Sequence, residues 1–224
     1  MRRMFYSGKL MLSGYLYGAF ILLFGLLFIL VNMESWEIAQ ANVASIITIL
    51  MIGLPLFNIL LFTNLFAEDM EERALDLVFT YPHRAHYLLL ERIVFALIIA
   101  TIAFGLSLLT AHFTLLHLSY ENLWEITKRV VPVNAYLSGL SLLLSLIGRN
   151  VLIGLGAGIS YWLLELMTMG KWTRALHLFQ GIWPTQAVTL DNNGLFLLFG
   201  SMGWLAGSII LFTVGKRRMI SNLL

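Results

Sequence analysis

The chain contains few residues that could do chemistry, because 59% of its 224 residues are hydrophobic and only 12% are charged. The group most like a metal site is His83, His86 and Glu91, in which a carboxylate follows two histidines that are three residues apart. Helical zinc proteases use the order H-E-x-x-H, which places two ligands and a general base on one helix face. Since this segment lacks that order, it offers little support for an intramembrane metalloprotease, and we predict no metal site.

Glu165 is the one formally charged residue inside a predicted span, and ionisable residues within the membrane are functional candidates by default. At 1.5 Å per residue, it lies about 21 Å from the start of its predicted span, in the outer leaflet. We expect it to face a substrate cavity or gate, to snorkel towards the interface, or to pair with Lys171 or Arg174. His112 and His117 do not share a helix face well, so interfacial histidines are expected there rather than a metal pair.

The sequence contains no motif for thiol chemistry or for nucleotide hydrolysis. It has no cysteine, which excludes disulfides, thiolate metal ligands and a cysteine nucleophile. No G-x-x-x-x-G phosphate loop precedes any lysine, namely Lys9, Lys128, Lys171 or Lys216. We therefore predict no catalytic residues, no enzyme activity and no cofactor in this chain, and we expect any ATP hydrolysis on another subunit.

Apolar stretches dominate the chain, as expected of a multi-pass membrane protein. The mean hydropathy is +0.86, and the charged fraction of 12% is well below the roughly 25% of soluble domains. A helix needs about 20 apolar residues to cross the hydrocarbon core. Charge-free stretches of that length predict one all-α transmembrane domain, residues 1–224, with six spans at approximately 12–33, 43–66, 93–117, 130–147, 151–170 and 195–214.

The distribution of lysine and arginine predicts the orientation of these spans. One side of the membrane collects ten of the 14 basic residues, including those of both termini, and the other side collects four. Because cytoplasmic loops are enriched in lysine and arginine, we place both termini in the cytoplasm. The expected location is a bacterial cell membrane. Residues 67–92 then form a cytoplasmic loop and residues 171–194 an external one. Trp172 and Trp183 in the external loop indicate either a re-entrant segment or an ordinary aromatic belt.

Small residues recur at one-turn spacing on three of the predicted spans. Glycines four residues apart allow membrane helices to approach closely, either inside one bundle or across a dimer. The candidates for helix packing or a dimer face are Gly14, Gly18, Gly154, Gly158, Gly203 and Gly207.

The cytoplasmic loop is the most polar part of the chain, and residues 66–92 hold six of the 12 acidic residues. Met70, Ala74, Leu77 and Val78 recur with helical spacing, and Pro82 disfavours helix at the residue before it. The spacing therefore predicts a short amphipathic helix over residues 69–79. Its apolar residues should be buried against a partner or the membrane surface. The alternative is a solvated charged loop that only obeys the topology.

This stretch resembles the first cytoplasmic loop of the permease subunits of type-2 ABC exporters. In that family an E-x-x-x-R-like segment, an L-x-L, a T-x-P and a basic residue follow span two. Those places are taken here by Glu68, Glu71, Arg73, Leu75, Leu77, Thr80, Pro82 and Arg84. Residues 140–166 also resemble the turn between spans four and five of the family. The six spans, a tight second cytoplasmic loop at residues 148–150 and the apolar final external loop agree with the family, so the resemblance covers nearly the whole chain.

The resemblance implies a six-helix half-transporter of the type-2 ABC exporter-like class. Its coupling helix would contact a nucleotide-binding subunit, which carries ATP and Mg²⁺, through Glu71, Glu72, Arg73, Leu75, Leu77, Val78, Phe79, Thr80 and Pro82. An identical or homologous permease subunit and membrane lipids are the other expected partners, and nucleic acid is not. The expected activity is export of an amphipathic or hydrophobic substrate, such as a peptide toxin, an antimicrobial peptide or a drug. Glu165, Trp172 and Trp183 would line the substrate or gate region.

A membrane anchor that binds a cytosolic protein through the same loop, without transport, is the main alternative. A channel or an ATP-independent transporter would be favoured by inverted repeats, and the two halves of the chain show no convincing similarity.

Overall fold

The fold, given by a computed structural model, describes residues 14–33, 35–36, 42–71, 85–115, 118–184 and 189–223. Across these residues it is all-helical and without strands, which confirms the predicted fold class at that level. Two 3₁₀ segments, Asn64–Phe66 and Arg174–Leu176, accompany the α-helices. The helices are α1 Gly14–Asn32, α2 Val43–Thr63, α3 Ala67–Glu71, α4 Ala85–Thr114, α5 Tyr120–Gly148, α6 Val151–Thr168 and α7 Leu190–Leu223.

Five helical segments are long and apolar enough to cross a membrane, so the chain has the architecture of a multi-pass membrane protein. They are Val43–Phe66, Tyr87–Thr114, Tyr120–Gly148, Val151–Thr168 and Asn192–Leu211. The first predicted span coincides with a shorter apolar helix, Leu16–Asn32, and residues 1–13 before it lie outside the described part of the chain. The count of six spans and the cytoplasmic termini remain predictions.

Helix α5 forms the centre of the bundle and packs most extensively against α7, α2 and α6. In the most apolar stretch of each helix, the share of buried residues is 78% in α5 and 67% in α2. The share is only 22% in α4, 22% in α6 and 17% in α7. The exposed side chains of the outer helices are largely apolar, for example Ile98 and Phe199. In water such a surface would aggregate, but in a bilayer the lipid tails solvate it.

A two-residue turn reverses the chain between α5 and α6. Arg149 adopts the left-handed conformation with φ of 48° and ends α5. The side chain of Asn150 then accepts a hydrogen bond from the backbone N–H of Leu152 at 2.8 Å, which caps the start of α6. Because the turn is so short, α6 must return along α5. This is the place where the sequence predicts a tight second cytoplasmic loop.

Two of the predicted packing glycines bring α6 against α5 and α2. A Cβ added at Gly154 would lie 2.5 Å from the carbonyl oxygen of Ser141, and one at Gly158 would lie 2.2 Å from Ser141 Oγ. The Cβ at Gly158 would also approach Ile59 to 3.0 Å. No larger residue fits at either position without a shift, so these glycines set the distance between the helices.

The other candidate glycines are not engaged in this way. A Cβ at Gly18 or Gly203 would meet no atom within 4 Å, and one at Gly207 would make only ordinary contact with Leu143 at 3.4 Å. Gly14 begins α1. The dimer face proposed for these positions remains a prediction.

A buried pair of amide side chains joins α2 to α5 inside the bundle. Asn58 Nδ2 donates to Asn134 Oδ1 at 2.6 Å, and Asn134 Nδ2 donates to the carbonyl oxygen of Val130 at 2.8 Å. Hydrogen bonds between membrane helices contribute about 0.6–2 kcal/mol each. Pro55 lies one turn before Asn58 and lacks the N–H that the carbonyl of Met51 would otherwise accept. The polar link therefore lies beside a point where α2 has lost a backbone bond.

Candidate functional site

The polar loop singled out in the sequence begins where α2 ends, and the chain remains helical there. Polar side chains bond back to the preceding turn: Thr63 Oγ1 donates to the carbonyl of Ile59 at 2.7 Å, and Asn64 Nδ2 to that of Leu60 at 2.7 Å. The 3₁₀ segment Asn64–Phe66 then leads directly into α3, Ala67–Glu71. The start of the predicted coupling segment is thus a continuation of the second predicted span.

Most of the predicted coupling helix lies outside the described residues, which resume at Ala85. Glu71 is the last residue of α3. The other coupling residues predicted from the sequence fall within residues 72–84: Glu72, Arg73, Leu75, Leu77, Val78, Phe79, Thr80 and Pro82.

A buried ion pair connects the two ends of this loop. Arg92, in the second turn of α4, donates from Nη1 to Asp69 Oδ2 in α3 and to the carbonyl oxygen of Leu65 at 2.7 Å. Its guanidinium carbon also lies 4.5 Å from the centre of the Phe66 ring, within cation–π range. The side chains of Arg92 and Asp69 are only 6% and 11% exposed. Charge, hydrogen bonding and ring stacking therefore hold one arginine against three residues on the other side of the loop.

This arrangement makes the loop root, which we define as Leu65–Asp69 together with Arg92, one mechanical unit. Removing one partner of a buried ion pair costs about 3–5 kcal/mol, because the remaining charge stays buried without compensation. The two ends of the loop therefore resist separation, whatever conformation residues 72–84 adopt. The pair thereby ties α3, which continues α2, to α4.

A second buried polar cluster lies at the opposite end of the bundle, around Glu165 in α6. Its Oε2 accepts a hydrogen bond from the backbone N–H of Leu178 at 3.0 Å and lies 2.5 Å from His177 Nδ1. Both Glu165 and His177 are 0% exposed. Of the alternatives predicted for Glu165, a local pairing is found, but with His177 rather than Lys171 or Arg174, because the loop folds back and brings His177 to the carboxylate. Snorkelling is not found, since the side chain is buried.

Two further side chains hold the same stretch of loop. Tyr161 in α6 donates from its hydroxyl to the carbonyl oxygen of Leu176 at 3.2 Å. Asn193 in α7 donates from Nδ2 to the carbonyl oxygens of Ala175 at 2.9 Å and His177 at 3.0 Å. Sequence reasoning missed His177 and Asn193, because neither stands at a helical spacing from Glu165 and both belong to unremarkable loop-like stretches.

The two tryptophans predicted for the gate region differ in their surroundings. Trp172 is 77% exposed, as a residue of an interfacial aromatic belt would be. Trp183 is partly buried and meets the ring of Phe179 edge-on, with 6.0 Å between ring centres. His112 accepts a hydrogen bond at Nδ1 from the backbone N–H of Leu118 at 3.2 Å, which stabilises the end of α4.

Among the residues that the structure describes, no three histidine, aspartate or glutamate side chains come together as a metal site. His83, part of the H-x-x-H segment, lies outside those residues. No family model matches the chain, and neither a curated protein nor a solved structure matches it.

Proposed function

We propose that this chain is the transmembrane permease subunit of an ATP-driven exporter in a bacterial cytoplasmic membrane. A separate nucleotide-binding subunit would bind the loop of residues 67–92 and supply ATP and Mg²⁺. A second permease subunit, identical or homologous, would complete the translocation path. The substrate class is amphipathic or hydrophobic, and this chain would contribute no catalytic residue of its own.

One observation carries the proposal, the buried Asp69–Arg92 pair at the loop root. A buried ion pair is seldom a net source of stability, because desolvation offsets most of the attraction. A loop that only connects two spans does not need one. A loop through which a partner moves two helices does need its ends fixed to each other, and this pair fixes them. The motif resemblance of residues 68–84 supplies the kind of partner.

The packing of α2 provides a route from the loop root into the bundle. Thr63, at the end of α2, lies against α6, since a Cβ at Gly154 would approach Thr63 Cγ2 to 2.9 Å. Farther along, Asn58 is hydrogen-bonded to Asn134 of α5. A movement of the loop root would therefore have a continuous path of contacts to α6 and α5. This is what a permease requires of its coupling element.

The test is reconstitution with a nucleotide-binding ATPase subunit that co-purifies with this chain from its native membrane. Leu77→Glu and Phe79→Glu should each reduce its binding at least tenfold, because an apolar anchor in a docking groove is replaced by a charge. Asn150→Asp is the matched control, since it adds one negative charge at the other predicted cytoplasmic turn and keeps the oxygen that caps α6. Stoichiometric binding by both loop variants would refute the docking role.

The same preparation separates an exporter from a membrane anchor. An exporter should move a hydrophobic fluorescent substrate into inverted vesicles when ATP is added, and Asp69→Leu combined with Arg92→Met should reduce that transport. A panel of peptides and hydrophobic dyes should be tested in these vesicles. If the ATPase binds but none of these compounds is transported, the membrane anchor is favoured.

A further inference from the structure

The segment Gly170–Trp183, which we name the cap, begins in an unusually tight bend. Met169, Gly170 and Arg174 have φ values of 50°, 74° and 48°. A residue with a side chain adopts this left-handed conformation at a cost of about 1–2 kcal/mol. Gly170 also has no room for a side chain, because a Cβ there would lie 2.2 Å from the ring of His177. The bend therefore turns the chain so that His177 folds back over Gly170.

The apolar side of the cap lies against α2 and α5. Leu178 and Phe179 are 0% exposed, although they belong to a segment with only one short 3₁₀ turn. A Cβ at Gly181 would be 3.3 Å from Met51 Sδ and from Arg129 Cδ. Arg129 also donates from Nη1 to the carbonyl oxygen of Gly181 at 3.2 Å. The cap thus packs against α2 at Met51 and against α5 at Arg129.

The contact that holds the cap down is a polar one, between the Glu165 carboxyl group and the His177 ring. Glu165 and His177 are fully buried, yet Glu165 Oε1 and His177 Nε2 have no hydrogen-bond partner among the described residues. Two apolar side chains of the same volume would hold a permanently closed segment at least as well, since a buried ion pair roughly balances its desolvation cost. A partly satisfied pair closes the cap with a smaller net free energy. It also regains solvation when the cap lifts.

We propose that the cap opens and closes as a unit and that the Glu165–His177 pair is its latch. In the closed state the latch buries Leu178 and Phe179, and in the open state it exposes them. In an exporter this movement would gate substrate release, and only that use rests on the proposed function. The opening itself is a property of this chain and is measured without an ATPase.

The chain has no cysteine, so one introduced thiol reports on one site. Leu178→Cys places it under the cap and leaves intact the backbone N–H that bonds to Glu165. The rate of maleimide labelling of the full-length protein is compared with two references. Leu137→Cys, at a buried position in α5, reacts only when the bundle unfolds, and Trp172→Cys, at a position 77% exposed, reacts without opening. The thiol at position 178 should react at a rate between these two.

Breaking the latch should raise that rate without changing the unfolding reference. When Glu165→Ala or His177→Ala is added to the Leu178→Cys variant, labelling at position 178 should be about 10- to 100-fold faster. This factor corresponds to the usual strength of a hydrogen bond to a charged group. Glu165→Gln should have a smaller effect, because its amide oxygen still accepts from Leu178. Glu121→Ala is the matched control: it removes an exposed carboxylate in the first turn of α5, and it should leave labelling at position 178 unchanged.

Two outcomes would overturn the proposal. If position 178 labels only as fast as position 137, the cap opens only when the bundle unfolds. If it labels quickly and Glu165→Ala does not accelerate it, the pair is no latch. Should Glu165→Ala destabilise the bundle itself, as faster labelling at position 137 would show, Asn193→Ala decides the matter. It removes the bonds to Ala175 and His177 without burying a charge, and it must accelerate labelling at position 178 alone.

Discussion

Replacing Asp69 by alanine tests the mechanical role of the loop root most directly. The change leaves the guanidinium of Arg92 buried, with the carbonyl of Leu65 and the ring of Phe66 as its remaining partners among the described residues. Truncating one side of a buried ion pair costs about 3–5 kcal/mol, and the two surviving contacts place Asp69→Ala near the lower end, about 3 kcal/mol. For a chain of this length that corresponds to a fall in the thermal unfolding midpoint of about 6–12 °C.

A second carboxylate–arginine pair in the same chain serves as the control. Glu125 and Arg129 lie one turn apart in α5, with side chains 47% and 24% exposed. A pair of this kind contributes about 0.3–0.5 kcal/mol. Glu125→Ala should therefore lower the midpoint by no more than about 2 °C in the same detergent. Thermal unfolding followed by circular dichroism gives both values, and equal shifts in the two variants would refute the burial argument.

The double variant Asp69→Leu, Arg92→Met separates stability from coupling. Apolar replacement of a whole buried pair is often neutral or stabilising, so the midpoint should return to within about 3 °C of wild type. Coupling should not return, because the fixed geometry between α3 and α4 is lost. With the ATPase bound, transport per ATP hydrolysed should remain well below wild type. Full coupling in a stable double variant would show that the pair contributes to folding alone.

Two other substitutions test the packing of the bundle. Gly158→Ala should destabilise it by about 1–3 kcal/mol, since the new methyl group would lie 2.2 Å from Ser141 Oγ, whereas Gly203→Ala has open space and should change stability by less than about 0.5 kcal/mol. Asn134→Ala should cost about 1–3 kcal/mol, because it leaves the buried amide of Asn58 without its acceptor. Unfolding midpoints measure both, and a Gly158→Ala variant as stable as Gly203→Ala would contradict the close helix approach.

The helical, membrane-spanning character of the chain could be predicted because lipid constrains composition directly. A backbone in hydrocarbon must satisfy its own hydrogen bonds, so apolar stretches of about 20 residues predict helices. The tight turn at Arg149 and Asn150 and the close packing at Gly154 and Gly158 follow the same local rules. Each of these features depends on residues that are near one another in sequence.

The two buried contacts, Glu165–His177 and Asp69–Arg92, could not be predicted, because each joins residues that no local rule relates. Glu165 was recognisable as a lone charge in an apolar span, but its partner His177 is placed by the bend at Gly170, a consequence of tertiary folding. Arg92 appears in the sequence only as the end of a polar loop. Its partner Asp69 comes 23 residues earlier, on the far side of that loop.

Helix α2 is the described element that reaches from the loop root to the cap, and this position gives it a particular mechanical importance. Met51, near the middle of α2, lies against Gly181 of the cap, and Leu65, in the 3₁₀ segment that continues α2, accepts a hydrogen bond from Arg92. The two positions are about 21 Å apart along the axis at 1.5 Å per residue. Between them, Pro55 removes one backbone bond, which is a common cause of helix bending.

The contacts of α2 on either side of Pro55 therefore determine whether the ends of the bundle can move separately. Before Pro55, the carbonyl of Ile52 accepts a hydrogen bond from Trp162 of α6 at 3.0 Å. After it, Asn58 is bonded to Asn134 of α5. A bend at Pro55 would shift these two contacts relative to each other, and thus α6, which carries Glu165, relative to α5. Spatial continuity alone does not establish coupling, which requires an element with two arrangements. Among the described residues, the proline in α2 and the proposed latch on the cap are two places that could provide such an element.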